Sequence, residues 1–157
     1  MATVEYTVMR VPVERTLALR QSVLRPHLAG RDPYVLADDH LPTTLAFGAV
    51  TSDDRVIAVG RLTPEPPPFD AGRLRGWRLR GMATSAEIRG MGVGTAVLKA
   101  LIAHVAGSGG GILWCNARIA ALGLYERAGM QRWGEAWNDP EIGPHVVMWR
   151  KVEAAAR

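Results

Sequence analysis

A single cysteine, Cys115, occurs in the 157 residues, which rules out an internal disulfide and a metal site built on several thiolates. The four histidines, His27, His40, His104 and His145, show no metal-ligand spacing, so no metal is expected. No stretch of about 18 consecutive apolar residues is present, which excludes a membrane-spanning helix. The opening residues, MATVEYTVMR, lack the basic-then-apolar order of an export signal, and this predicts a cytoplasmic protein. Lysine is scarce as well: of nineteen basic residues only Lys99 and Lys151 are lysines, so the net charge of +4 rests on arginine. The arginines are scattered and no nucleic-acid motif accompanies them, so neither nucleic acid nor a membrane is expected as a partner. A polyanionic small molecule or plain solvated surface accounts for the charge balance equally well.

The chain has 48% hydrophobic and 22% charged residues, and its length suits one domain, 1–157, with a full layered core. Val4 to Val11 alternates as a strand closed by Pro12. Val13 to Leu24 reads as a helix, with Val13, Leu17 and Leu24 on one side and Arg15, Arg20 and Gln21 turned to water. Arg31 to Pro42 has no clear period and is expected as loop or short helix. Thr44 to Thr51 and Arg55 to Leu62 form a hairpin around Ser52-Asp53-Asp54. Thr63 to Arg75, which contains PEPPPFDAGR, is expected as an exposed, mobile connection. Gly76 to Thr84 returns to strand, and a helix then runs to about Ala106, where Gly107 to Gly111 ends it. A short buried strand at Ile112 to Asn116 and a helix from Ile119 to Ala128, capped by Gly129, come next. Strands at Gln131 to Trp137 and His145 to Val152 close the order β-α-β-β-β-α-β-α-β-β.

The most informative stretch is Met82 to Val105. In it Arg89-Gly90-Met91-Gly92-Val93-Gly94 separates a strand end from a helix with Val93, Val97, Leu98, Leu101, Ile102 and Val105 on one face. Glycines at a helix start free backbone N–H groups and remove side chains that would block approach, which suits a phosphate or pyrophosphate. A dinucleotide fingerprint would need glycine where Thr95 stands and an acid near Trp114 and Cys115. A P-loop would need a lysine that is absent.

What remains, R-x-x-G-x-G before a helix, resembles the acyl-CoA pyrophosphate loop of the GNAT superfamily of N-acyltransferases. Three further segments are similar to the same superfamily in the same order. Leu79 to Thr84 (LRGMAT) resembles the strand that hydrogen-bonds the pantetheine arm. Leu113 to Arg118 (LWCNAR) resembles the strand that splays from it, and Gly123 to Met130 (GLYERAGM) the helix with a tyrosine near the CoA sulfur. The resemblance implies an α/β (α+β three-layer) fold. Its mixed, mostly antiparallel sheet has about seven strands, helices on both faces and a splayed strand pair holding CoA.

It also implies an acetyl-CoA-dependent transfer to a primary amine. Met82, Ala83, Thr84 and Asn116 would hold the pantetheine, with the Met82 N–H donating to the oxyanion. Arg89 and the N–H groups of Gly90, Met91, Gly92, Val93, Gly94 and Thr95 would hold the pyrophosphate, and Tyr125 would be the general acid. Each has a plainer alternative: Tyr125 as core packing, Asn116 as a cap of the next helix, Cys115 as a small buried residue. The strand that carries a carboxylate base in many relatives reads Trp77-Arg78-Leu79-Arg80 here, leaving Glu65, Asp38, Asp39, His145 or a water chain. Arg31 to Pro42, Thr63 to Arg75 and Asn138 to Pro144 are expected to wall an acceptor site, without a signature naming the amine. Five tryptophans, at 77, 114, 133, 137 and 149, fit either core packing or a homodimer through the late strands. A CoA-binding sensor that has lost catalysis is the alternative function.

Overall fold

The computed structural model describes residues 3–70 and 72–156. Its strands are β1 (Thr7–Val11), β2 (Leu45–Val50), β3 (Val56–Pro64), β4 (Gly76–Thr84), β5 (Gly111–Arg118), β6 (Gln131–Asp139) and β7 (Gly143–Val152). The helices are α1 (Leu17–Leu24), α2 (Val93–Gly107) and α3 (Leu122–Arg127), with short 3-10 turns at Val13–Thr16, Ala37–His40 and Ile119–Ala121 among others. The strands form one seven-stranded sheet in the order β1-β2-β3-β4-β5-β7-β6. It is mixed: β1–β2, β5–β7 and β6–β7 are antiparallel, whereas β4 and β5 are parallel. The β4–β5 ladder matches only Gly76–Arg78 with Ile112–Trp114, although β4 continues to Thr84 and β5 to Arg118. The parallel ladder thus joins three residues of each strand.

By its contacts the chain divides into two compact units. The first comprises the chain up to Arg61 together with Gly81–Ala100, and the second Leu62–Arg80 together with the chain from Leu101 onward. In the first, Val11, Ala46 and Val50 form an apolar cluster flanked by Val13 and Val56. The hairpin forms as expected, with Thr51 N–H donating to Arg55 O (2.9 Å) and Asp54 at φ 64° in the turn. In the second, β5 pairs with β7 from Gly111↔Val152 to Arg118↔His145. Leu113, Trp114, Cys115, Val146, Val147 and Met148 are buried on these two strands. Along α2 Val93, Val97, Leu98, Leu101 and Val105 of the expected face are buried, and Ile102 is half-buried at its margin.

Two sequence expectations give way. Thr63 and Pro64 extend β3, and the connection after them is anchored by Phe69, whose ring lies 5.1 Å from both Trp133 and Trp149. Tilted contacts with two indoles fix the middle of this proline-rich segment, which composition alone would leave in solvent. Arg20, expected at the surface, is 5% exposed, because its charge is matched by carboxylates from a distant part of the chain.

Candidate active site

β4 leads into the glycine loop through a 3-10 turn at Ala86–Ile88. The turn is held by Ser85 N–H to Ile57 O (2.9 Å) and by the buried Ile88. Gly90 (φ 80°) and Gly92 (φ 81°) are left-handed, and a Cβ built on either would meet nothing within 4 Å. Packing therefore does not demand these glycines; the backbone conformation does, and the space over them is clear. Gly94 is different: a Cβ there would lie 2.8 Å from Thr84 Oγ1, so this glycine lets the helix start approach the end of β4. The first N–H groups of a helix lack intrahelical partners, and here they belong to Val93, Gly94 and Thr95. Arg89 is exposed beside them, its Nε donating to Thr84 O at 3.4 Å. The result is a run of backbone donors at the positive end of a 15-residue helix, reached over the exposed Arg89 to Gly92 and next to one guanidinium.

Within β4, Ala83 is buried and Met82 and Thr84 are half-buried. Gly81, directly before Met82, has φ 67° inside the strand. Behind it lies a buried group of four charges. Arg20 donates two bonds to Asp39, at 2.9 and 3.1 Å, and a third to Thr16 Oγ1 at 3.2 Å. Arg61 donates to Asp38 at 2.5 Å, and its Nε lies 2.6 Å from Asp39 Oδ1. Burial works to raise the Asp39 pKa, but hydrogen bonds from Arg20 and the Leu36 N–H, with the charges of Arg61 and Arg20, outweigh it and hold it below the usual carboxylate value. Two of the candidate bases, Asp38 and Asp39, are thus committed to arginines.

In the second unit, Cys115 and Asn116 follow one another on β5, the thiol buried and the amide exposed. Tyr125 on α3 is buried, and its hydroxyl donates to the Cys115 sulfur. Burial first, then the neighbouring sulfur, pushes the phenol well above its ordinary pKa, against the pull of Arg118. Burial pushes the Cys115 thiol up to about 12, opposed by the Arg78 charge and the Tyr125 hydrogen bond. Asn116 does not cap the next turn: that position belongs to Arg118, which makes no side-chain cap bond. Glu65 pairs with Arg78 (3.0 Å), Arg78 lies over the Trp114 ring, and Trp114 Nε1 donates to Glu65 O (2.9 Å). His145 is buried, with Nδ1 2.7 Å from Gly143 O and its ring stacked on Trp137.

A family profile described as "Acetyltransferase (GNAT) family" matches residues 14–130. The chain belongs to the GNAT acetyltransferase family. It is 31% identical over 148 residues to the uncharacterized N-acetyltransferase YitI of Bacillus subtilis (strain 168), covering 94% of this chain and 97% of the other. Among solved structures it is similar to Escherichia coli ElaA, with a TM-score of 0.72 at 18% identity over 93% of this chain and 99% of that one. It is also similar to an aminoglycoside 6'-N-acetyltransferase complexed with coenzyme A, with a TM-score of 0.69 at 13% identity over 96% and 99% of the two chains.

In this GNAT chain, the residues singled out from the sequence fall into two groups. Met82 to Thr84 and Arg89 to Thr95 lie together in the first unit, and Asn116 and Tyr125 in the second. Sequence reasoning missed Gly81 and the Arg20–Asp39–Arg61–Asp38 group. A glycine inside an otherwise regular strand is a signal for a bulge or a close approach, and Arg80-Gly81-Met82 carried it. The ion-pair group left no comparable mark, because its members come from three separate segments.

Proposed function

We propose that this chain is an acetyl-CoA-dependent N-acetyltransferase, acting in the cytoplasm as one domain over residues 1–157. It transfers the acetyl group to a primary amine of a small molecule or peptide by direct attack in a ternary complex. The observation that carries this reading is the unobstructed left-handed loop at Gly90 and Gly92 opening onto the first turn of α2. It is a fitting cradle for a pyrophosphate, with Arg89 supplying a full positive charge.

Acetyl-CoA supplies the acetyl group as a thioester open to attack by a neutral amine. Arg89 and the backbone from Gly90 to Thr95 bind the pyrophosphate. The β4 backbone at Met82, Ala83 and Thr84, with the Asn116 amide, aligns the pantetheine. The Met82 N–H donates to the oxyanion as the carbonyl is attacked. The C–S bond breaks as the Tyr125 phenol gives its proton to the departing sulfur, and the proton that the amine nitrogen sheds in becoming an amide restores the phenol. The phenol holds a proton to give at neutral pH, as any tyrosine does; burial raises its pKa and makes it a weaker acid, so the role rests on the position of Tyr125 on α3 and not on that shift. The Cys115 thiol, pushed up to about 12, stays protonated as well, which favours direct attack over an acetyl-cysteine intermediate. The outermost strand, β6, exposes Trp133 and Trp137 and is the surface offered for a homodimer.

A second reading, an acyl-CoA-binding sensor without turnover, draws on one observation: β4 carries arginines at 78 and 80 where a carboxylate base would stand, and Asp38 and Asp39 are paired. Thiol release from acetyl-CoA, measured against a panel of primary amines, separates the two. Amine-dependent release is expected; saturable binding without release on any amine would establish the sensor instead.

A further inference from the structure

The buried charge group and the odd glycine of β4 are in contact. A Cβ built on Gly81 would lie 3.1 Å from Arg20 Cδ and 3.2 Å from its Nε. The arginine stem therefore packs directly on the face of Gly81 that a side chain would fill. Gly81 also has φ 67°, a conformation that L residues with side chains rarely adopt. The next peptide plane is rigid, so the Gly81 backbone sets where the Met82 N–H points.

Arg20 itself cannot swing away. Its guanidinium is held by both Asp39 oxygens and by Thr16 Oγ1, which donates in turn to Val13 O at 2.6 Å. Asp39 accepts a further bond from the Leu36 N–H at 2.7 Å and stands in an ion pair with Arg61, whose Nε lies 2.6 Å from Oδ1 without hydrogen-bond geometry. The Arg20 and Asp39 side chains are 6% and 4% exposed, so water does not compete for these bonds.

We propose that Arg20 is a positioning residue for acyl transfer: locked by Asp39, its stem holds the left-handed backbone of Gly81 in place and thereby aims the Met82 N–H at the oxyanion. The inference rests on the role given to Met82 above. It makes the Ala37–His40 turn, which carries Asp38 and Asp39, a structural support of the oxyanion donor. A charge group that served only to hold that turn would need no arginine stem on Gly81.

The test compares wild type with Arg20→Lys, which keeps charge but loses the paired bonds, and Asp39→Asn, which keeps size but loses charge. Turnover per folded molecule should fall about tenfold, a fraction of the 10²–10³ lost when an oxyanion donor is removed, while KM for acetyl-CoA stays within about twofold. The backbone amide resonance of Met82 should shift in both ligand-free variants. Should one variant fail to fold, the other gives the same readings. A lowered melting temperature with unchanged turnover and an unmoved Met82 resonance would overturn the proposal. Wild-type protein without turnover on any amine would instead remove the transferase reading, while the Met82 resonance would still report whether Arg20 reaches that amide.

Discussion

The glycine loop and the Arg20–Asp39–Arg61–Asp38 group lie in the same compact unit and are built on opposite terms. The loop is exposed, has nothing near its left-handed glycines, and offers backbone donors to a ligand. The charge group is sealed, every member facing an opposite charge, and the arginines are 1% and 6% exposed at the side chain. A site meant to receive an anion keeps the space over its donors clear. A group meant to hold shape spends the same kinds of charge on one another. Arginine is thus a surface ligand at position 89 and an internal strut at positions 20 and 61.

Substitutions should separate the two regions by readout. The largest loss of stability is expected at Arg61→Met, which leaves two buried carboxylates facing one arginine: about 3–5 kcal/mol in urea unfolding, the usual cost of breaking a buried pair. Acetyl-CoA affinity at the loop should respond most to Gly92→Glu, which sets a carboxylate where phosphate would bind. A thousandfold weaker Kd, ~4 kcal/mol, is expected by titration calorimetry, beside a stability cost of ~1–2 kcal/mol for a side chain at the left-handed φ of 81°. If folded Gly92→Glu protein keeps its acetyl-CoA affinity while Arg61→Met loses it at little cost in stability, the two regions have been assigned the wrong way round.

Smaller effects sharpen the same contrast. Tyr125→Phe removes the proton donor but keeps the ring, so kcat should drop by about a hundredfold with acetyl-CoA affinity unchanged. Equal kcat in the variant would make Tyr125 packing alone. Gly81→Ala forces a side chain into left-handed backbone against Arg20, and should cost ~1–2 kcal/mol of stability. Finally, the folded Asp39 has a lowered pKa, so its contribution is present above the ordinary value of 3.8 and is lost as pH falls through the folded value. The melting-temperature gap between wild type and Asp39→Asn should therefore be constant near neutrality and close only below that value.

How legible these features were follows from where their partners lie. β4 was readable at Gly76–Thr84 because glycines and a proline-rich stretch bracket it, and α2 because its apolar face repeats locally. The loop was readable for the same reason, since its glycines and Arg89 are contiguous. Arg20 was not: on an amphipathic helix an arginine is ordinarily assigned to water, and the Asp39 that reverses this is nineteen residues away. Phe69 was missed likewise, because its tryptophans arrive from strands more than sixty residues later. Tyr125 was placed on the right helix, but its bond to Cys115 depends on tertiary packing.

The most direct measurement is the initial rate of thiol release at varied acetyl-CoA and varied amine, with an acceptor found by the amine panel. Direct attack in a ternary complex predicts reciprocal plots that intersect. Parallel lines, together with an acetylated protein isolated in the absence of amine, would contradict the account.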